Sequence, residues 1–146
     1  MTKPVRKSPA ASRIIEDLAR VPRIETFGPI AARFVYSLRL IALHERAHRD
    51  PVPELTVRLG GVQIAAKSLA LSHAITGVWP EDIHVSRFCC QCLTHDEETI
   101  AALVEHTVQR RREDFAAQIE GLIRPDREHR LWDAAFALVV AEMHAA

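Results

Sequence analysis

The sequence predicts an all-α fold, a single-domain bundle of five or six helices with a cysteine-rich loop before the penultimate helix. Three observations point there. Apolar residues recur at helical rather than alternating spacing over most of the chain. Alanine, leucine, arginine and glutamate abound, whereas only 5% of residues are aromatic and five are glycine, a mixture that favours helix. A length of 146 residues with 48% hydrophobic content supports one core and is too short to expect two.

Residues 1–11 carry Lys3, Arg6 and Lys7 between Pro4 and Pro9 and read as a flexible basic tail, leaving 12–146 as the helical domain. Ser12 can cap a short helix through Arg20, with Ile14, Ile15 and Leu18 on one side, and Pro22 ends it. Phe27-Gly28-Pro29 is a turn. Proline suits a first helical turn, and Ile30, Phe34, Leu38 and Ile41 then mark a helix running to about Asp50. Pro51 and Pro53 stop it, and Glu54–Leu59 is either a short helix, the favoured reading, or a brief extended piece before Gly60-Gly61.

Val62–Thr76 is poor in charge and apolar on most sides, so it is expected at the centre of the bundle, with Gly77 as its C-terminal cap. Asp82–Phe88 alternates like a strand but has nothing to pair with, and reads as loop. Thr94 and Glu97 form a capping box, and Asp96, Glu97 and Glu98 put negative charge where the helix dipole is positive. The helix they start is expected from His95 to Ile123. A last helix follows Pro125, from Asp126 to about His144, with Leu131, Ala135, Phe136, Val139 and Met143 in register.

Nineteen basic and nineteen acidic side chains cancel, so no global field favours nucleic acid or a membrane surface, and neither is an expected partner. The three cysteines fall within four positions and cannot build the long-range disulfides of a secreted domain, which points to a reducing cytoplasm. The N-terminal segment has no apolar run of the signal-peptide kind, and no stretch approaches a membrane span. Arg110-Arg111-Arg112 is expected mid-helix on a solvated face, because successive helical positions cannot share one groove.

Two motifs carry chemistry. His44-Glu45-Arg46-Ala47-His48 spells H-E-x-x-H, which on a helix sets two imidazoles one turn apart for zinc, with the glutamate as base. It resembles the zincin metallopeptidase motif, and the resemblance implies His44 and His48 as ligands and Glu45 as the catalytic residue. In the metzincin extension, glycine and a third histidine stand where this chain has Pro51 and Glu54; Glu54 and His73 are the formal candidates for a third ligand. The structural alternative is two histidines at a helix C-terminus, with Glu45 paired to Arg49 at i,i+4.

Cys89-Cys90-Gln91-Cys92-Leu93-Thr94-His95 offers three sulfurs and one imidazole, a ligand set suited to zinc or, by softness, copper(I). The spacing lacks the paired knuckles of structural zinc sites. Helix-dipole activation of Cys90 or Cys92 for redox chemistry is a second reading, and plain packing of small apolar side chains a third. Cys89, Cys90, Leu93, Thr94, Asp96 and Glu97 resemble a family of small uncharacterised bacterial proteins of unknown function that share a Cys-Cys pair followed by Thr-x-Asp-Glu. That resemblance implies a helical fold and a special turn, but no activity. Where the family has proline after the pair, this chain has Gln91.

No complete catalytic constellation is present in the sequence. The leading expectation is a small cytosolic, non-enzymatic interaction or regulatory module that works through a protein partner or self-association. A transition-metal (zinc or copper) protein using Cys89, Cys90, Cys92 and His95 is the first alternative. A zincin-like hydrolase using His44, Glu45 and His48 is the second.

Overall fold

Gly28 and Pro29 start the first long helix, α1, which spans Pro29–Arg46 in the computed structural model; the model describes residues Pro22–Ala145. The expected tail and the Ser12–Arg20 helix lie outside the described residues. The Gly28 N–H donates to Glu105 Oε1 at 2.7 Å, and a Cβ at Gly28 would stand 2.6 Å from that oxygen, so only glycine lets the carboxylate reach this helix end. Five further helices follow: α2 (Val52–Leu59), α3 (Val62–Val78), α4 (His95–Val108), α5 (Arg112–Ile119) and α6 (Glu128–Ala145). Single 3-10 turns cover Ile24–Thr26 and Pro125–Arg127. Among the described residues there is no strand, and Asp82–Phe88 is loop as the sequence predicts.

The α3 helix packs most extensively on α6, and α1 on α4, with α2 laid against α3 and α5 folded back on α4. One apolar cluster joins Phe34, Leu38, Leu71, Ile100, Phe115 and Leu131 with their neighbours, and a smaller one joins Leu40, Ile41, Leu55 and Ala65 beneath α2. Each such side chain contributes roughly 1.5–3 kcal/mol by leaving water. Arg33 of α1 grips Glu142 of α6 through two nitrogens at 2.9–3.2 Å and donates to the Leu59 carbonyl at 2.8 Å, fastening three helices at one point. No described helix is long and apolar enough to cross a membrane.

Three expectations are corrected here. The charge-poor α3 packs on three helices but is not buried on most sides: it buries Ile64, Ala65, Ser68, Leu71, Ser72 and Ile75 and turns Ala66, Lys67, Ala70 and His73 to solvent. Alanine counts as apolar but tolerates the surface of a helix, so low charge misled. The buried element is α1, where every residue from Phe34 to Ile41 except Tyr36 is buried, Arg39 included. Gly77 does not cap α3 either; it lies inside the last turn, and Trp79 is the C-cap.

The third correction concerns the expected His95–Ile123 helix. It breaks at Arg110, whose φ of 56° is left-handed. The Arg111 amide reaches the His106 carbonyl at 2.8 Å and the Arg110 amide reaches Thr107 at 3.1 Å, the paired bonds of a Schellman ending. The arginine triplet therefore sits at a corner rather than mid-helix. The cysteine loop precedes the antepenultimate helix, because the predicted penultimate one is two.

Candidate functional site

The loop from Trp79 to Thr94 is organised by the first turn of α4. Thr94 accepts from the Glu97 amide at 3.1 Å while Glu97 accepts from the Thr94 amide at 2.9 Å, so the predicted capping box is present. Thr94 also donates its hydroxyl to the His84 carbonyl at 2.6 Å. Asp96 accepts from the His84 amide at 2.8 Å and from the Trp79 indole at 3.4 Å. Side chains that the sequence assigns to dipole compensation thus also hold the loop.

Glu97 does more than cap. Its carboxylate is wholly buried and faces Arg39 of α1, itself 1% exposed, with Nε at 2.6 Å from Oε2 and Nη2 at 3.0 Å from Oε1. The Ser86 amide, at 3.2 Å, completes four donors to a group with about four acceptor sites. The remaining guanidinium donors go to backbone: Nη1 to the carbonyls of Cys90 and Phe88, Nη2 to that of Cys92 at 3.0 Å. Burial opposes the charge on Arg39, yet the hydrogen bonds and charge of Glu97 outweigh it and hold the guanidinium pKa above the ordinary value. Sequence reasoning missed Arg39. A signal existed, a lone cation in the apolar run Phe34–Ile41.

That clamp sets the shape of the cysteine turn. Residues Arg87–Cys90 close a turn, the Cys90 amide reaching the Arg87 carbonyl at 3.0 Å, with Cys89 exposed at its tip. Beyond it the chain is extended. Carbonyls of Cys90 and Cys92 face Arg39, while on the other edge the Gln91 carbonyl accepts from Ile24 at 2.8 Å and the Leu93 amide donates to Pro22 at 2.8 Å. Gln91 also takes a 2.6 Å hydrogen bond from Arg23. Alternate side chains of extended backbone share a face, so Cys90 and Cys92 lie on the same side of the chain, both partly exposed. The Ser86 hydroxyl first, then the backbone and thiol of Cys92, and more weakly the Arg39 charge, hold the Cys90 thiol below its ordinary pKa.

The histidine motif does not form the i,i+4 pair that the sequence predicts. Helix α1 stops at Arg46, and His48 adopts φ 55° as the left-handed residue of another Schellman ending, in which the Arg49 amide reaches the His44 carbonyl at 2.9 Å and the His48 amide reaches Glu45 at 3.1 Å. His44, largely buried, closes on Glu54 through Nε2, and its Nδ1 is buried without a partner. His44 and Arg58 together hold the Glu54 carboxyl below its ordinary pKa. Glu45 turns away to His73 at 3.1 Å rather than pairing with Arg49. The two formal third ligands are thus engaged separately, Glu54 with His44 and His73 with Glu45. Among the described residues no group of three or more His, Cys, Asp or Glu side chains is gathered to hold a metal ion.

No protein-family model, curated protein or solved structure matches this chain.

The left-handed histidine gives a direct test. Glycine adopts this conformation without the Cβ clash that costs an L-residue roughly 1 kcal/mol, so His48→Gly should raise stability by about that amount in urea denaturation. A loss of stability would instead mean that the imidazole holds something in place.

Proposed function

We propose that this chain is a non-enzymatic accessory module of the reducing cytoplasm whose working part is the cysteine turn. The observation that supports the reading is the Arg39 clamp: a buried guanidinium gathers three loop carbonyls, fixes the backbone, and leaves Cys90 and Cys92 on one side of the chain, each partly exposed, with Cys89 exposed beyond them. A loop used only for packing has no need to present its thiols outward. A fixed backbone with partly accessible sulfur suits thiol chemistry, and a Cys90 thiol held below its ordinary pKa has more of the reactive thiolate. The module is expected to act with a protein partner or a second copy, and a monomeric mass in solution removes the second.

Titration of the native, reduced chain with a disulfide reagent tests the reading. Cys89, Cys90 and Cys92 should all react without denaturant. Reaction of Cys90 and Cys92 only after unfolding would return the turn to a packing role. The hydrolase reading draws no support from His48, which stands off the helical face that His44 occupies.

A further inference from the structure

The clamp restricts which thiol chemistry the turn can perform. A disulfide needs sulfurs about 2.05 Å apart and α-carbons within roughly 6.8 Å. Residues two apart on extended backbone already span about 6.6 Å, near that limit, with side chains parallel rather than converging. Closing the bond would require the backbone of Cys90–Cys92 to bend, and that backbone is held from both edges by Arg39, Ile24 and Pro22. A metal ion between the same sulfurs asks less. Two metal–sulfur bonds of about 2.3 Å each bridge roughly 4.6 Å, so from a parallel spacing of about 6.6 Å the two sulfurs need only lean together by side-chain rotation, with the backbone unmoved.

We propose that Cys90 and Cys92 form a two-coordinate site for copper(I), with Cys89 and His95 outside it. This rests on the reading that the turn's thiols are its working groups. Thiolate softness selects copper(I) over harder divalent ions, and two ligands suffice for a linear monovalent ion where zinc asks for four. Cys89 lies at the tip of the preceding turn and His95 is exposed in the first turn of α4, and among the described residues neither joins the pair in a group of three potential ligands. On binding, two sulfur–copper bonds form, two S–H bonds break, both protons go to solvent, and copper stays in the +1 state.

The experiment is an anaerobic titration of the full chain with copper(I) held by a coloured bidentate chelator, read as chelator bleaching and as protons released. Wild type should withdraw one copper per chain and release up to two protons. Cys90→Ser and Cys92→Ser should each weaken capture by roughly 10- to 100-fold or more, whereas Cys89→Ser and His95→Ala should leave it within about twofold. Circular dichroism of each variant shows that the helices are kept, and Cys90→Ala and Cys92→Ala replace any serine variant that unfolds. Equal loss on Cys89→Ser or His95→Ala overturns the two-coordinate site in favour of a four-donor cluster. No copper withdrawn from a chain whose thiols titrate freely overturns the copper site and leaves the thiol module intact. No copper withdrawn from a chain with masked thiols removes both.

Discussion

Replacing Arg39 by methionine is expected to cost about 3–5 kcal/mol, because it leaves the Glu97 carboxylate buried with its ionic partner gone. That is a large share of the roughly 5–15 kcal/mol that holds a domain of this kind folded. The variant also strips the Phe88, Cys90 and Cys92 carbonyls of their donors, so the damage should extend to the turn. Two measurements check this: the urea midpoint followed by circular dichroism, and the rate at which Cys90 and Cys92 are alkylated. Both should move together, the midpoint falling and the alkylation speeding up. A variant within about 1 kcal/mol of wild type would show that the pair does not fasten the loop to α1. Combining Arg39→Met with Glu97→Leu should cost less than the sum of the two single changes, since the second removes the charge that the first strands.

Phe115→Ala carries the second large expectation, about 3–5 kcal/mol. Phe115 is fully buried and meets Trp132 edge-on, with ring centroids 5.1 Å apart, so it is the anchor that holds the eight residues of α5 against α4 and α6. Leu122→Ala supplies the contrast. On one continuous helix Phe115 and Leu122, seven residues apart, would share a face and lose similar amounts. In the structure Leu122 lies beyond the end of α5 and is 37% exposed, so its truncation should cost no more than about 0.5 kcal/mol. Equal losses in urea denaturation would favour the unbroken helix over the corner at Arg110.

The helical class and the helix starts at Pro29 and Thr94 were legible because each rests on local chemistry. Proline fixes φ where a helix begins, the Thr94–Glu97 box satisfies two amides within four residues, and apolar spacing repeats with the helical turn. The site was half legible. Thiols and capping groups are visible in the sequence, but the shape of the turn comes from Arg39, 51 positions away from Cys90, and nothing local connects them.

Where helices end was decided by the tertiary structure. His48 and Arg110 both take left-handed conformations that the sequence marks with neither glycine nor asparagine, and in each case the strain of roughly 1 kcal/mol is outweighed by the packing of the next helix. After His48 that helix is α2, seated on Leu55, and after Arg110 it is α5, seated on Phe115. The sequence by itself determined a helical chain with a capped turn of cysteines, since those depend on neighbours within a few residues. Only the packed structure decided that the H-E-x-x-H pattern is split by a helix ending and that the cysteine turn is held from beneath. Burial of distant side chains supplies free energies larger than any local preference, and periodicity along one helix cannot record which turn of the chain they will bend.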